Sequence, residues 1–154
     1  MRKKVQNKRE ITPDPVYNSV ILNKFINLVM KDGKKHVAKR AVYTLLQRLE
    51  EEHKKPGLEV FEEALEKARP TVVLKARRVG GSNFQVPMAV EKDKGVYIVM
   101  RWVIQTARNR KGAPITDDLV KEINDILAGQ GEVLKKKDDT HRMAEANKAF
   151  SHFR

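Results

Sequence analysis

Two β-prone runs meet at Gly80-Gly81 in a chain whose other apolar residues mostly recur at helical spacing. A lone two-stranded hairpin is marginal in water, so a cationic one is built to meet a partner. The stretch reads Lys75-Ala76-Arg77-Arg78-Val79-Gly80-Gly81-Ser82-Asn83-Phe84-Gln85-Val86-Pro87. Gly80 and Gly81 supply the positive φ of a tight four-residue turn, and Ser82 and Asn83 suit its exit. Alternation along the first strand places Lys75 and Arg77 with Val73 and Val79, and Arg78 with Leu74 and Ala76. Neither face is cleanly apolar, so the hairpin is suited to an anion. Arginine forks match phosphate, glycines let another backbone come close, and Phe84 offers a ring to a base. The competing reading is a solvated hairpin whose charges, with Pro87, discourage edge-to-edge pairing.

Around the hairpin the sequence predicts helices. Residues 1–17 lack apolar periodicity, and Pro13 and Pro15 break any helix, so they read as a basic arm, flexible until it meets phosphate. Residues 18–70 hold three helices. Ser19 caps the first, Val20 to Met30, which Gly33 closes at the C′ position. Val37, Ala38, Ala41, Val42, Leu45 and Leu49 stripe the second, and Leu58, Phe61, Ala64, Leu65 and Ala68 the third, which Pro70 stops. The hairpin spans about 71–91. Residues 95–131 hold two more helices, the first striped by Val96, Val99, Met100, Val103, Ile104 and Ala107. Thr116, Asp117 and Asp118 open the second, striped by Leu119, Val120, Ile123, Ile126 and Leu127 and ended by Gly129 and Gly131. A C-terminal helix over 133–150 has only a thin stripe of Met143, Ala146, Phe150 and Phe153, so it needs a partner on its polar side. The fold class is mainly α: six helices in a single domain, with a hairpin protruding between the third and fourth and a flexible basic arm in front.

At 154 residues, a single domain would bury roughly 70% of the surface that its unfolded chain exposes. The net charge of +12 would strain such a fold unless a polyanion neutralises it. The charge is also segregated. Residues 1–40 carry 11 basic and 3 acidic side chains, 95–114 carry 4 and none, while 41–70 carry 5 and 7 and 115–134 carry 1 and 5. A body with one cationic side and one neutral or acidic side is the footprint of a nucleic-acid binder. With no cysteine, disulfides and thiolate metal sites are excluded. No apolar run approaches the ~20 residues that span a bilayer, and no apolar stretch follows Met1-Arg2-Lys3-Lys4, so neither membrane nor secretory signal is expected.

Tyr97, Arg101, Gln105 and Arg108 share one side of the fourth helix, and Arg110 and Lys111 extend it. No carboxylate lies between Gly95 and Pro114, so the local charge pairing of a solvated helix is missing and phosphate is the better partner. Trp102 lies off the apolar stripe, and its large area assigns it to burial against a neighbouring helix rather than to a base. Gly33-Lys34-Lys35 lacks the rest of a nucleotide-binding loop and reads as a turn with phosphate-facing lysines. His141 and Glu145 are one turn apart, but zinc needs three or four ligands and the other histidines lie elsewhere. Asp138 and Asp139 read as partners of Lys135, Lys136 and Lys137. No catalytic motif or dinucleotide fingerprint appears, so neither enzyme chemistry nor a cofactor is expected.

Arg77-Arg78-Val79-Gly80-Gly81 followed by Gln85-Val86-Pro87 resembles the hairpin of the bacterial-type ribosomal protein seven family of the small subunit. Pro13-Asp14-Pro15-Val16-Tyr17-Asn18-Ser19 with Phe25-Ile26-Asn27 resembles that family's opening, and Met30-Lys31-Asp32-Gly33-Lys34-Lys35 its first helix end. Leu58-Glu59-Val60-Phe61, Arg101-Trp102 and Ala107-Arg108 follow in order, and Asp139 to Phe150 is similar to its last helix. The resemblance spans nearly the whole chain. It departs at Met88 to Lys94, where arginines are more usual.

The resemblance implies a non-catalytic primary binder of the 3′ major domain of small-subunit ribosomal RNA that nucleates assembly of the subunit head. It places the hairpin and C-terminal region near the exit-site transfer RNA and the messenger RNA exit path. The ninth, eleventh and thirteenth small-subunit proteins are the implied neighbours, rather than copies of the chain itself, in a cytoplasmic ribosome, with an organellar one left open. The candidate ribosomal-RNA contacts are Arg2, Lys3, Lys4, Lys8 and Arg9 in the arm and Lys31, Lys34 and Lys35 after the first helix. They continue with Lys75, Arg77, Arg78, Gly80, Gly81 and Gln85 in the hairpin, then Arg101, Arg108, Arg110, Lys111 and Arg142. Ser82, Asn83, Phe84, Arg142 and Lys148 are the candidates near transfer and messenger RNA. A general architectural protein for DNA or RNA, and an adaptor using its acidic helices, are the rival classes.

Overall fold

The computed structural model describes residues 11–153, with side-chain detail to residue 152. Six helices and one hairpin follow in the order α1 (Val20–Val29), α2 (Lys35–His53), α3 (Gly57–Ala68), β1 (Val72–Val79), β2 (Ser82–Ala89), α4 (Lys92–Asn109), α5 (Ile115–Leu127) and α6 (Glu132–Ala146), with a 3-10 turn at Lys148–Phe153. Ser19 caps α1 as expected, its Oγ accepting from the Leu22 N–H at 3.2 Å. Gly33 is not the C′ residue of α1. That helix already closes at Met30, whose N–H reaches the Ile26 carbonyl, and Asp32 (φ 53°) and Gly33 (φ 72°) turn the chain toward α2.

The apolar stripes converge on one core. Leu22, Phe25 and Ile26 of α1 meet Val42, Leu45, Leu46 and Leu49 of α2 and Phe61 and Leu65 of α3. Val99, Met100 and Val103 of α4 and Leu119, Ile123 and Ile126 of α5 complete it. Phe25 and Phe61 pack with ring centroids 4.9 Å apart at 58°. Each such side chain contributes about 1.5–3 kcal/mol on full burial, so the stripes rather than the weak helix caps hold the body together. Helices α2 and α3 approach so closely that a Cβ on Gly57 would lie 2.1 Å from the Leu46 carbonyl oxygen. Trp102, off the α4 stripe, packs half-buried against this core. Helix α5 opens without a side-chain cap, because Pro114 takes the cap position and Thr116 already lies inside the helix.

In the hairpin, Val72 pairs with Ala89 through to Val79 with Ser82. Only Gly80 (φ 57°) and Gly81 (φ 88°) form the loop, both left-handed as a type I′ reversal requires. Ser82, paired with Val79, is the turn exit and opens β2, while Asn83 already lies within the strand. The register puts Lys75 opposite Val86 and Arg77 opposite Phe84, with Arg78 opposite Asn83 on the other face. Val86 and Pro87 are buried, so the hairpin's base is covered on both faces while Lys75, Arg77 and Arg78 are exposed.

The cover comes from the C-terminal segment. Helix α6 packs along β1, and the 3-10 turn packs on β2. The expected stripe of α6 is not the one observed: Val133 and Ala144 are buried while Met143 is 49% exposed. Helix α6 ends at Ala146, so Phe150 sits in the 3-10 turn and meets Phe84 at 5.2 Å between ring centroids. Polar ties replace the missing apolar stripe. Lys137 Nζ donates to the Lys67 carbonyl at 2.7 Å, Lys136 Nζ reaches Thr106 Oγ1 at 3.4 Å, and His141 Nε2 accepts from the Thr71 N–H at 3.1 Å.

Residues 11–17 are not free as their composition suggests. Asp14 is 2% exposed, and its carboxylate accepts from the Tyr43 hydroxyl at 2.9 Å and from the backbone N–H groups of Val16 and Tyr17. The Asn23 side-chain amide donates to the Thr12 carbonyl at 2.6 Å.

Candidate nucleic-acid interface

The amphipathic α1 and α4 pack side by side and leave their polar faces outward. Arg101, Gln105 and Arg108 of α4 line a groove of about 350 Å³ with Leu28 and Asn109. Lys31, Asp32 and Lys34 from the α1–α2 turn line an adjoining groove of about 280 Å³, which Arg108 also borders. Arg108 is the joint between them. Its Nη2 donates to the Val29 carbonyl at 3.0 Å, placing a guanidinium at the C-terminus of α1, where the helix dipole favours it. Residues about 70 positions apart in sequence are thus gathered into one cationic trough, to which Lys35 adds an exposed charge at the start of α2.

Two further residues in this region, not among the candidate contacts, line its edge. Lys24 and Asn27 lie on the α1 face away from Leu22, Phe25 and Ile26, and line a larger, mainly apolar groove of about 660 Å³ with Ile11, Tyr97 and Lys94. The i, i+3 spacing of Lys24 and Asn27 on the side of α1 opposite its apolar stripe is the sequence signal for them.

Arg110 does not join the trough. Its Nη2 lies 2.6 Å from Glu122 Oε2 and 3.3 Å from Asp125 Oδ2, both on α5. Glu122 has no exposed surface, and its Oε1 also accepts the Val133 N–H at 3.3 Å. Burial pushes the Glu122 carboxyl up from its ordinary value; the Val133 N–H and the Arg110 charge oppose that only in part. The absence of carboxylates between 95 and 114 therefore fails as a guide at this residue, because the partners arrive from another helix. Lys111 remains exposed beside it.

A second cationic group lies on the hairpin and C-terminal segment. Lys75, Arg77 and Arg78 are exposed on β1, Gln85 on β2, and Gly80 and Gly81 form the tip. Arg142 and Lys148 are exposed and meet only surface partners, Asp139 at 2.7 Å and Glu145 at 3.2 Å, pairs that water and salt largely screen. Asp139 thus pairs with Arg142, while Lys136 and Lys137 turn to Thr106 and the Lys67 carbonyl. Ser82 and Asn83 are exposed near the tip, but Phe84 is half-buried on Phe150 and does not present an open ring. Arg2, Lys3, Lys4, Lys8 and Arg9 lie outside the described residues.

The acidic segments meet each other, although α2 and α5 also border the trough through Ala41 and Ile115. Helix α5 packs on α2 and α3, where Arg48 pairs with Asp117, and Asn124 bridges Glu52 at 2.6 Å and His53 at 2.8 Å. Among the described residues no cluster of three or more histidines, cysteines or carboxylates could hold a metal ion, and no helix is long and apolar enough to cross a membrane.

The helical body gathers cations in a trough between two helices and on a braced hairpin, surfaces whose charge suits a polyanion. The family model for ribosomal protein S7p/S5e matches residues 1–148, and the chain belongs to that family. A small ribosomal subunit protein uS7 from Wigglesworthia glossinidia brevipalpis is 48% identical over 153 residues, which cover 99% of this chain and 98% of that one. Proteins of the same name from Chloroflexus aggregans and Kosmotoga olearia are 47% and 44% identical over 152 and 154 residues, with at least 97% of each chain covered.

Proposed function

We propose that this protein is a structural constituent of the small ribosomal subunit that binds ribosomal RNA and acts without catalysis. The observation that carries this is the trough: Lys31, Lys34, Arg101, Gln105 and Arg108 converge from two segments, against the single carboxylate Asp32 in its lining. Each phosphate neutralised there releases condensed counterions, which supplies affinity. Shape and unpaired bases of a folded RNA supply selectivity. The RNA is the 3′ major domain of small-subunit ribosomal RNA, and its clamping nucleates assembly of the subunit head. The hairpin tip and C-terminal segment lie near exit-site transfer RNA and the messenger RNA path, and the ninth, eleventh and thirteenth small-subunit proteins are neighbours. Family membership and the braced hairpin support these finer assignments.

The test is competition binding at about 150 mM salt, where exposed charges more than about 8 Å apart are largely screened. A transcript of the head domain should outcompete transfer RNA, duplex DNA and scrambled RNA by about tenfold or more, within the range of specific over nonspecific binding. Equal competition by all of them would favour a general architectural protein instead.

A further inference from the structure

We propose that the groove between α1 and α4 at Tyr97 takes an unpaired nucleobase of the RNA, its plane stacked on the Tyr97 ring. The inference rests on the RNA-binding reading above. It adds a different kind of contact, to a base rather than to phosphate, at a residue outside the candidate contacts.

Open rings are scarce on this protein. Phe25 and Phe61 are buried, Tyr17 packs edge-on against Tyr43 at 5.6 Å, Trp102 packs on the core, and Phe84 is half-buried on Phe150. Among the described side chains, Tyr97 is the one Phe, Tyr or Trp that stands exposed, at 43%. A single exposed apolar residue needs no explanation by itself. Its setting is what makes a site.

Tyr97 lines the groove of about 660 Å³ with Lys24, Asn27 and Leu28 of α1 and its neighbour Ile98. A smaller groove of about 60 Å³, lined by Val96 and Met100, also meets both Tyr97 and Lys24. The larger one falls within the ~300–1,000 Å³ of pockets that hold small ligands, room enough for one base and its sugar. It is continuous with the trough. Leu28 lines both, and Arg101 follows Tyr97 by one turn, about 6 Å along α4. RNA that follows the trough from Arg108 to Arg101 therefore meets Tyr97 at the next turn.

The charges at the groove agree with that occupant. Lys24 and Lys94 offer cations to the phosphate that carries the base, against the one carboxylate Asp93 in the lining. Lys94 also meets Glu91 at 2.8 Å, but both side chains are exposed and water screens the pair. Asn27 is exposed and offers an amide donor and acceptor to the base edge. Bases splayed out of a folded RNA are recognised in this way, by stacking on an aromatic ring and by hydrogen bonds at their edges. An apolar peptide would fill the same groove, yet it gains nothing from the lysines and has no need of a flat ring.

The experiment separates the ring's plane from its bulk. Tyr97→Leu keeps an apolar side chain and removes the plane, while Tyr97→Phe keeps the plane and removes the hydroxyl. Affinity for the head-domain transcript is measured across salt, and thermal melts confirm that the body remains folded. Loss of one base–aromatic stack predicts that Tyr97→Leu binds about fivefold or more weakly. Its salt slope should be unchanged, because no charge is removed. Tyr97→Phe should recover most of that loss.

Transcripts in which one unpaired nucleotide at a time is made abasic then locate the base. At one position the abasic RNA should bind the native chain as weakly as intact RNA binds Tyr97→Leu. The two changes together should cost no more than either alone. Affinity of Tyr97→Leu within about twofold of native would overturn the inference and leave the groove to a peptide. Equal losses in Tyr97→Leu and Tyr97→Phe, or additive losses at every abasic position, would overturn it too. In each of these cases a native chain that still selects the head-domain transcript loses only the base site. A native chain that fails to select that transcript overturns the function, and this inference with it.

Discussion

Arg108 and Arg110 are two residues apart and carry the same side chain, yet the fold gives them opposite work. Arg108 is exposed between two cationic grooves and makes one bond to the Val29 carbonyl. Arg110 is committed to Glu122, which has no exposed surface, and to Asp125. Arg110→Ala strips a buried carboxylate of its 2.6 Å partner. Breaking a buried pair costs about 3–5 kcal/mol. The upper end is out of reach, because Arg110 keeps 24% of its side-chain surface exposed and Glu122 can take up a proton. About 2–3 kcal/mol is expected, a fall of about 4–12 °C in Tm for a chain of this size. Arg108→Ala loses one hydrogen bond, about 1 kcal/mol, and lowers Tm by no more than about 4 °C. In RNA titrations across salt, Arg108→Ala should reduce the slope of log affinity against log salt by about 0.7–0.9, and Arg110→Ala by close to zero. Thermal melts without RNA, alongside those titrations, read both quantities. Equal slope changes with an unmoved Tm for Arg110→Ala would refute the division of labour.

Gly57→Ala places a methyl 2.1 Å from the Leu46 carbonyl oxygen and should destabilise the body by about 3 kcal/mol or more in urea titrations; a cost below about 1 would show that α2 and α3 can separate freely. Phe150→Ala removes the ring under Phe84 and should speed amide exchange through β2 while leaving α1 to α5 protected, and uniform exchange would deny the brace. Asp14 has a depressed folded-state pKa, so its contribution is present above the unfolded value of about 3.9 and is lost as pH falls through the lower folded value. The stability gap between the native chain and Asp14→Asn should therefore be widest near neutrality and shrink below about pH 4. A gap constant with pH would leave Asp14 without a charge-dependent role.

Local periodicity made much of the architecture legible. The stripe Val99 to Ala107 maps onto buried positions of α4, with Val96 half-buried at its start, and Gly80-Gly81 between β-prone runs placed the hairpin between the right helices. The same spacing put Arg101, Gln105 and Arg108 on one exposed side. It could not foresee that Lys31 and Lys34 lie beside them, since that neighbourhood depends on how α1 crosses α4. The misreadings have the same origin. Arg110 looked free because its carboxylates are 12 and 15 residues further on, across a turn. Residues 11–17 looked unstructured because Tyr43, 29 residues from Asp14, supplies the bond. The stripe expected for α6 runs through Phe150, which lies beyond the helix's end.

By itself the amino-acid order determined which segments coil or extend, which faces turn inward, and that the cations outnumber and segregate from the carboxylates, because each depends on side chains a few positions apart. Tertiary structure alone decided which charges stay available. A cation's availability depends on what is opposite it, and that is set by helix packing rather than by neighbours in the chain. Arg108 and Arg110 differ only in that respect.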